Sequence, residues 1–175
     1  FKENITAEGA VYFGPGRVML DGDMTQYLDV PEAAFDHLIL QIEGELVLEA
    51  PYTLGTGAKL TFENGVLRSS PDHSITFLDG SVHDGASDTS HVEGPVIKEG
   101  GQDFTFPVGK DGFYAPVSIS ALSESSTFVT QYYHEAPGPV VGTDLGPAVD
   151  HLSQAEYWTL DRLAGNASAL VTLSW

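Results

Sequence analysis

One motif recurs through the first half of the chain: a short apolar strand that ends in an acidic or amide residue and then glycine. Val18-Met19-Leu20-Asp21-Gly22, Leu40-Gln41-Ile42-Glu43-Gly44, Leu60-Thr61-Phe62-Glu63-Asn64-Gly65 and Ile75-Thr76-Phe77-Leu78-Asp79-Gly80 share this form. The glycines fall at 22, 44, 65 and 80, giving intervals of 22, 21 and 15 residues. Glycine accepts the positive φ of a sharp corner, and Asp or Asn before it tolerates the same geometry. Two architectures produce such a pattern. The acid-glycine pairs are either hairpin turns of an antiparallel sheet, or corners of a β-solenoid whose coils run near 20 residues. Residues 38–48, two apolar runs broken only by Glu43-Gly44-Glu45, favour the solenoid.

From His83 to His91 the chain turns polar, and beyond it the regular glycines stop. Period-two alternation then predicts strands near 92–97, 104–108, 115–122, 127–134, 156–162 and 167–175. Six alternating strands suit a small β-sandwich with a core of Phe104, Phe106, Val117, Ile119, Phe128, Tyr132, Trp158, Leu160, Val171 and Leu173. Residues 135–146, with two prolines and three glycines, read as a long exposed loop, and 147–155 holds the one helical candidate, a turn or two at most. The expected fold is all-β: a short β-solenoid over 1–91 followed by a β-sandwich over 92–175.

Charge narrows the partners. The 25 Asp and Glu against 7 Lys and Arg give a net charge of −18, which repels phosphate backbones and anionic lipid heads. Nucleic acid is therefore disfavoured. No apolar run nears the ~20 residues that span a bilayer, so membrane insertion is not expected. Cysteine is absent, which removes disulfides, thiolate metal sites and cysteine nucleophiles. The chain opens on Phe1 without a visible signal peptide and closes within a strand-like run at Trp175, so both ends read as cuts within a longer polypeptide.

A set of motifs carries a family likeness. His91-Val92-Glu93-Gly94-Pro95-Val96-Ile97-Lys98, Phe104-Thr105-Phe106-Pro107-Val108-Gly109, Tyr114-Ala115-Pro116-Val117 and Glu156-Tyr157-Trp158-Thr159-Leu160-Asp161-Arg162 resemble a module common in large secreted Bacteroidetes proteins. The segments 18–22, 25–28 and 35–40 are similar to the coils that precede that module. The resemblance spans nearly the whole chain. It implies a solenoid leading into a sandwich, in very long cell-surface or extracellular adhesins exported by the type IX route. It implies no catalytic residues.

Chemistry-bearing candidates are few. The six histidines, His37, His73, His83, His91, His134 and His151, form no His-x-x-x-His pair, so zinc hydrolysis has no local support. His83 and His91 flank Asp84 and Asp88, a conceivable metal loop but more simply a solvated one. Asp21-Gly22-Asp23 and 84–88 are the best calcium candidates, and neither supplies the six to eight oxygens or the distal bidentate Glu that calcium needs. The corner acids Asp21, Glu43, Glu63 and Asp79 are expected in a row, a solvated ladder rather than a glycosidase pair held roughly 6.5–9.5 Å apart. Tyr132-Tyr133-His134 and Tyr157-Trp158 could stack on sugar rings, although alternation buries one member of each pair. The expectation is a non-enzymatic structural or adhesive module with no required cofactor. Its partners would be neighbouring domains of the same polypeptide, identical subunits or surface glycans, and the alternative is a calcium-assisted carbohydrate-binding module.

Overall fold

A computed structural model describes residues 3–6, 10–12, 16–30, 32–138 and 152–174, with only the backbone of 10–12 and 32–34. The described residues contain strands, turns and no helix. The first three strands make one three-sided coil: β1 (Ile5–Thr6), β2 (Ala10–Tyr12) and β3 (Arg17–Gly22). β4 (Gln26–Asp29), β5 (Glu32–Ala34) and β6 (His37–Leu48) wind the next, and β6 runs on around a corner into the coil above. β7 (Tyr52–Leu54) and β8 (Lys59–Arg68) repeat that move, followed by β9 (Ile75–Phe77), β10 (Val82–Asp84), β11 (Val92–Glu93) and β12 (Val96–Gly100).

Every pairing among these twelve strands is parallel, which separates a solenoid from a stack of hairpins. One face stacks β1, β4, the ends of β6 and β8, and β11. A second stacks β2 on β5 and β7 on β9 and β12. A third stacks β3, the starts of β6 and β8, and β10. The chain completes about four turns. Residues 10–12 pair in parallel with β5 within the chain.

Like residues stack on like inside the coil. Leu20, Leu40 and Phe62 share one register position, and Val18, Leu38 and Leu60 another, all of them buried. A fully buried side chain of this size contributes roughly 1.5–3 kcal/mol by leaving water. Among the described residues, polar side chains enter these columns at their ends: Gln26 begins the column Leu46, Leu67, Val92, Lys98 ends the column Leu54, Phe77, and His83 ends the column Val18, Leu38, Leu60.

The corner glycines correct the sequence reading. A Cβ on Gly44 would press on Met24, one on Gly65 on the Ile42 carbonyl, and one on Gly85 on the Phe62 carbonyl. Gly44, Gly65 and Gly85 each lean on the coil below at one corner, at intervals of 21 and 20, whereas Gly22 pairs with Ile42 rather than with Gly44. Gly80 belongs to a different corner, above Gly57. Its strand, β9, lies on the second face and not the third.

β11 and β12 lie beyond the 91/92 boundary expected from composition, yet both pair in parallel with coil strands, so coil pairing runs to about residue 98. The remaining strands cover the last coil: β13 (Phe104–Phe106), the hairpin β14 (Gly109–Lys110) and β15 (Phe113–Tyr114), β16 (Val117–Ser120), β17 (Ser126–Tyr133), β18 (Tyr157–Ala164) and β19 (Leu170–Leu173). β17 pairs antiparallel with β12 and then with β18, so the second face continues outward as a five-stranded sheet. β13, β16 and β19 form a separate three-stranded sheet. One apolar cluster runs without a break from Val18 to Phe128 and Ala167. Of the ten expected sandwich core residues, the six from Phe104 to Tyr132 are buried, whereas Val171 and Leu173 on β19 are 51% and 40% exposed. Residues 152–155 of the helical candidate are not helical, and its first part, like 139–146 of the expected loop, lies outside the described residues.

Candidate functional site

The acid-glycine corners bring Asp21, Asp23, Gln41, Glu43 and Asn64 together around an open groove of about 600 Å³. Asp79 is not among them, because its corner is a different one. Among the described residues no three His, Asp or Glu side chains converge on a point that could hold a metal ion. The groove is open and polar, as a ladder of solvated corners should be.

The 83–91 segment is only in part the solvated loop expected from its composition: Asp84, Asp88 and Thr89 are exposed, whereas His83 and His91 are enclosed. His91 is fully buried, with Nδ1 3.0 Å from the Ser87 carbonyl, and it packs against Gly109 of β14. His83 donates from Nε2 to the Thr105 carbonyl at 2.5 Å, inside a cage of Phe62, Phe77 and Phe104. Asp84 pairs with Lys59 at 2.6 Å, and Asp88 accepts from the Tyr114 amide at 2.9 Å. These four side chains point to four different partners. Lys59, by hydrogen bonding, holds the Asp84 carboxyl below its usual range, with help from Thr61.

Outside the coil, charge is organised vertically. Arg68 grips Glu45 of the coil below through Nε and Nη2, each at 2.6 Å, and Glu93 above through Nη1 at 2.5 Å. The bidentate bond to Arg68 lowers the Glu45 carboxyl, and the same contact raises the guanidinium. Glu93 also accepts the Asp111 amide at 2.9 Å, which ties the β14–β15 turn to the coil. Composition alone does not single out this clamp. Its signal is positional: a lone Arg among acids at coil-length spacing.

Aromatic residues split as alternation requires. Tyr132 is buried against Trp158, with ring centroids 5.2 Å apart, and Trp158 Nε1 donates to the Ala115 carbonyl at 2.8 Å. Tyr133 and Tyr157, one position over, lie on the opposite face and stack on each other at 4.5 Å with planes 3° apart. Each ring thus covers a face of the other, which leaves less surface for a sugar than two rings side by side. Beside them an apolar groove of about 520 Å³ runs between the two C-terminal sheets, lined by Val117, Leu152, Trp158, Leu160, Val171 and Leu173.

Comparisons with known protein families, curated proteins and solved structures return no match for this chain. The likeness to exported Bacteroidetes modules therefore rests on the quoted motifs alone.

Proposed function

We propose that the chain is a non-catalytic structural or adhesive segment of a large exported bacterial surface protein or filament. In this reading the coils act as a stiff spacer and the C-terminal strands close one end of it. The observation that supports it most is the way the last coil is covered. β17 lies along β12, Thr105 of β13 meets His83 of β10, and Val108 bridges to Val92 of β11. A solenoid end left bare would offer unpaired strand edges to any passing chain. About four parallel coils with filled interiors and cross-coil ion pairs support the reading of a stiff spacer.

In cells that produce the protein, antibodies against this segment should label intact cells, and removing the coils should weaken surface attachment while leaving export intact. Labelling that needs lysis would end the proposal, as would attachment unaffected by the deletion. The partners proposed are neighbouring domains of the same polypeptide, identical subunits or surface glycans, in an extracellular or cell-surface setting reached by type IX export.

The second reading, a calcium-assisted carbohydrate-binding module, is favoured by the acidic groove and the Tyr133–Tyr157 pair. It requires melting to rise with millimolar calcium, since a ligand bound only to the native state stabilises it, together with glycan-array binding. A flat response in both would remove it.

A further inference from the structure

The seam between the last coil and β13 gathers two basic side chains around one aromatic ring. Phe104, the first residue of β13, lies 5.1 Å from Phe77 of the second face and 5.6 Å from the His83 ring of the third. Lys98, which ends the Leu54–Phe77 column, is 1% exposed; its Nζ sits 5.3 Å from the Phe104 centroid and donates to the Leu78 carbonyl at 2.8 Å. His83 stands edge-on to Phe62, Phe77 and Phe104. Its Nε2 bond to the Thr105 carbonyl is a direct polar tie between β10 and β13, and its Nδ1 is buried with no hydrogen-bonding partner.

We propose that this seam is an acid-operated latch: neutral His83 holds β13 on the last coil, and protonation of His83 releases β13 while the coils beneath stay stacked. The neutral ring meets the needs of the site with one donor, Nε2–H. An imidazolium would add a second N–H at Nδ1 with nothing to accept it, beside a ring that already carries the Lys98 ammonium. The quickest relief is to let water in, and β13, three residues long, followed by Pro107 and paired along its length only with β16, is the covering element whose displacement does so.

The groups facing the cluster do not cancel this effect. Asp84 adjoins His83 but is engaged by Lys59 at 2.6 Å. His37 of β6 is hydrogen-bonded to Thr61, and Asp79 lies 3.9 Å from Lys98. From the covering side β13 contributes only the Thr105 carbonyl, since Asp103 before it accepts the Ala121 amide. Burial holds the His83 imidazole below its ordinary value of 6.5, against the opposing pull of the Thr105 hydrogen bond and the Asp84 charge.

The sign follows from proton uptake. With the seam open, His83 takes its proton near 6.5, and with the seam closed only at lower pH. Between those two values the open form binds one proton more, so opening gains about tenfold per pH unit of acidification. Above 6.5 this group has no leverage.

Amide exchange by NMR, corrected for intrinsic rates, reads the latch between pH 7.5 and 5. The Val92 amide bonds across the seam to the Pro107 carbonyl at 2.8 Å, whereas the Lys59 amide bonds within the coils to the Asp36 carbonyl at 2.9 Å. Below pH 6.5, Val92 and the β13 amides should lose protection by up to tenfold per unit while Lys59 holds. His83→Gln keeps a donor for Thr105 but cannot titrate, and it separates His83 from His37 and His91; its seam protection should be flat. Seam protection independent of pH, an equal fall in the glutamine variant, or parallel loss at Lys59 would each overturn the latch. Should the variant not fold, the His83 ring resonance of the wild-type protein decides: titration at or above 6.5 with the seam still protected refutes the proposal.

Discussion

Replacing Gly85 and Gly80 by alanine, one at a time, tests the coil register at the point where sequence and structure differ. Both glycines have positive φ, 78° and 77°, so each variant pays the left-handed backbone penalty of roughly 1 kcal/mol for a non-glycine residue. Their surroundings then separate them. At Gly80 the added methyl would meet only Gly57 N at 3.6 Å and the Thr56 side chain at 3.7 Å, ordinary van der Waals contact. At Gly85 it would overlap the backbone carbonyl of Phe62, part of a strand locked between two others. Forcing those strands apart adds about 1–3 kcal/mol, the usual range for overpacking. We therefore expect about 1 kcal/mol for Gly80→Ala and roughly 2–4 kcal/mol for Gly85→Ala. At about 2–4 °C per kcal/mol for a chain of this size, the first should melt a few degrees low and the second on the order of 5–15 °C low. Urea midpoints followed by circular dichroism, at constant m-value, give the comparison directly. Equal losses, or a greater loss at Gly80, would refute the placing of Gly85 against the Phe62 carbonyl.

Phe77→Ala should lower stability by about 3–5 kcal/mol, because Phe77 is fully buried between Leu54 and Lys98 in its column and touches the cover through Phe104; urea unfolding measures it. Lys98→Met should melt no lower than the wild-type protein, since an apolar chain of similar length replaces a buried ammonium, and a loss above about 2 kcal/mol would mean that the Leu78 bond outweighs desolvation. Arg68→Met should cost about 1–2 kcal/mol, discounted because the guanidinium is 43% exposed, and the loss should shrink in high salt. Glu45 and Asp84 have lowered folded values, so their ion pairs stabilise fully above the ordinary carboxyl values of 4.5 and 3.8 and fade as pH falls through the lowered ones. Acid unfolding should therefore steepen below about pH 4.5, and Arg68→Met should flatten the Glu45 share of it.

Much of the coil was legible from residues 18–65, because an apolar strand that turns at acid-glycine every 21 or 22 residues leaves few other ways to bury its Leu and Phe side chains. The fourth corner was misread for a physical reason. Asp79-Gly80 and Asp84-Gly85 both satisfy the local chemistry of a turn, and only stacking on Phe62 tells them apart. The six later strands stood out by alternation, but the short hairpin at 109–114 did not, since two-residue strands carry no period. Val171 and Leu173 alternate like core residues, yet both are exposed on β19, and what packs over a strand is a property of topology that sequence pattern does not encode. The burial of His83, His91 and Lys98 was hidden for a similar reason. Each is polar in composition, and each is enclosed only because a covering strand arrives from later in the chain.

Interstrand NOEs measured on the isotope-labelled protein test the central claim of stacked parallel coils most directly. The account requires backbone contacts from Leu40 to Leu20 and to Phe62, 20 and 22 residues away, in the staggered pattern of parallel strands. Contacts that instead fold residues 38–42 back onto 45–48 across Gly44, in antiparallel register, would contradict it.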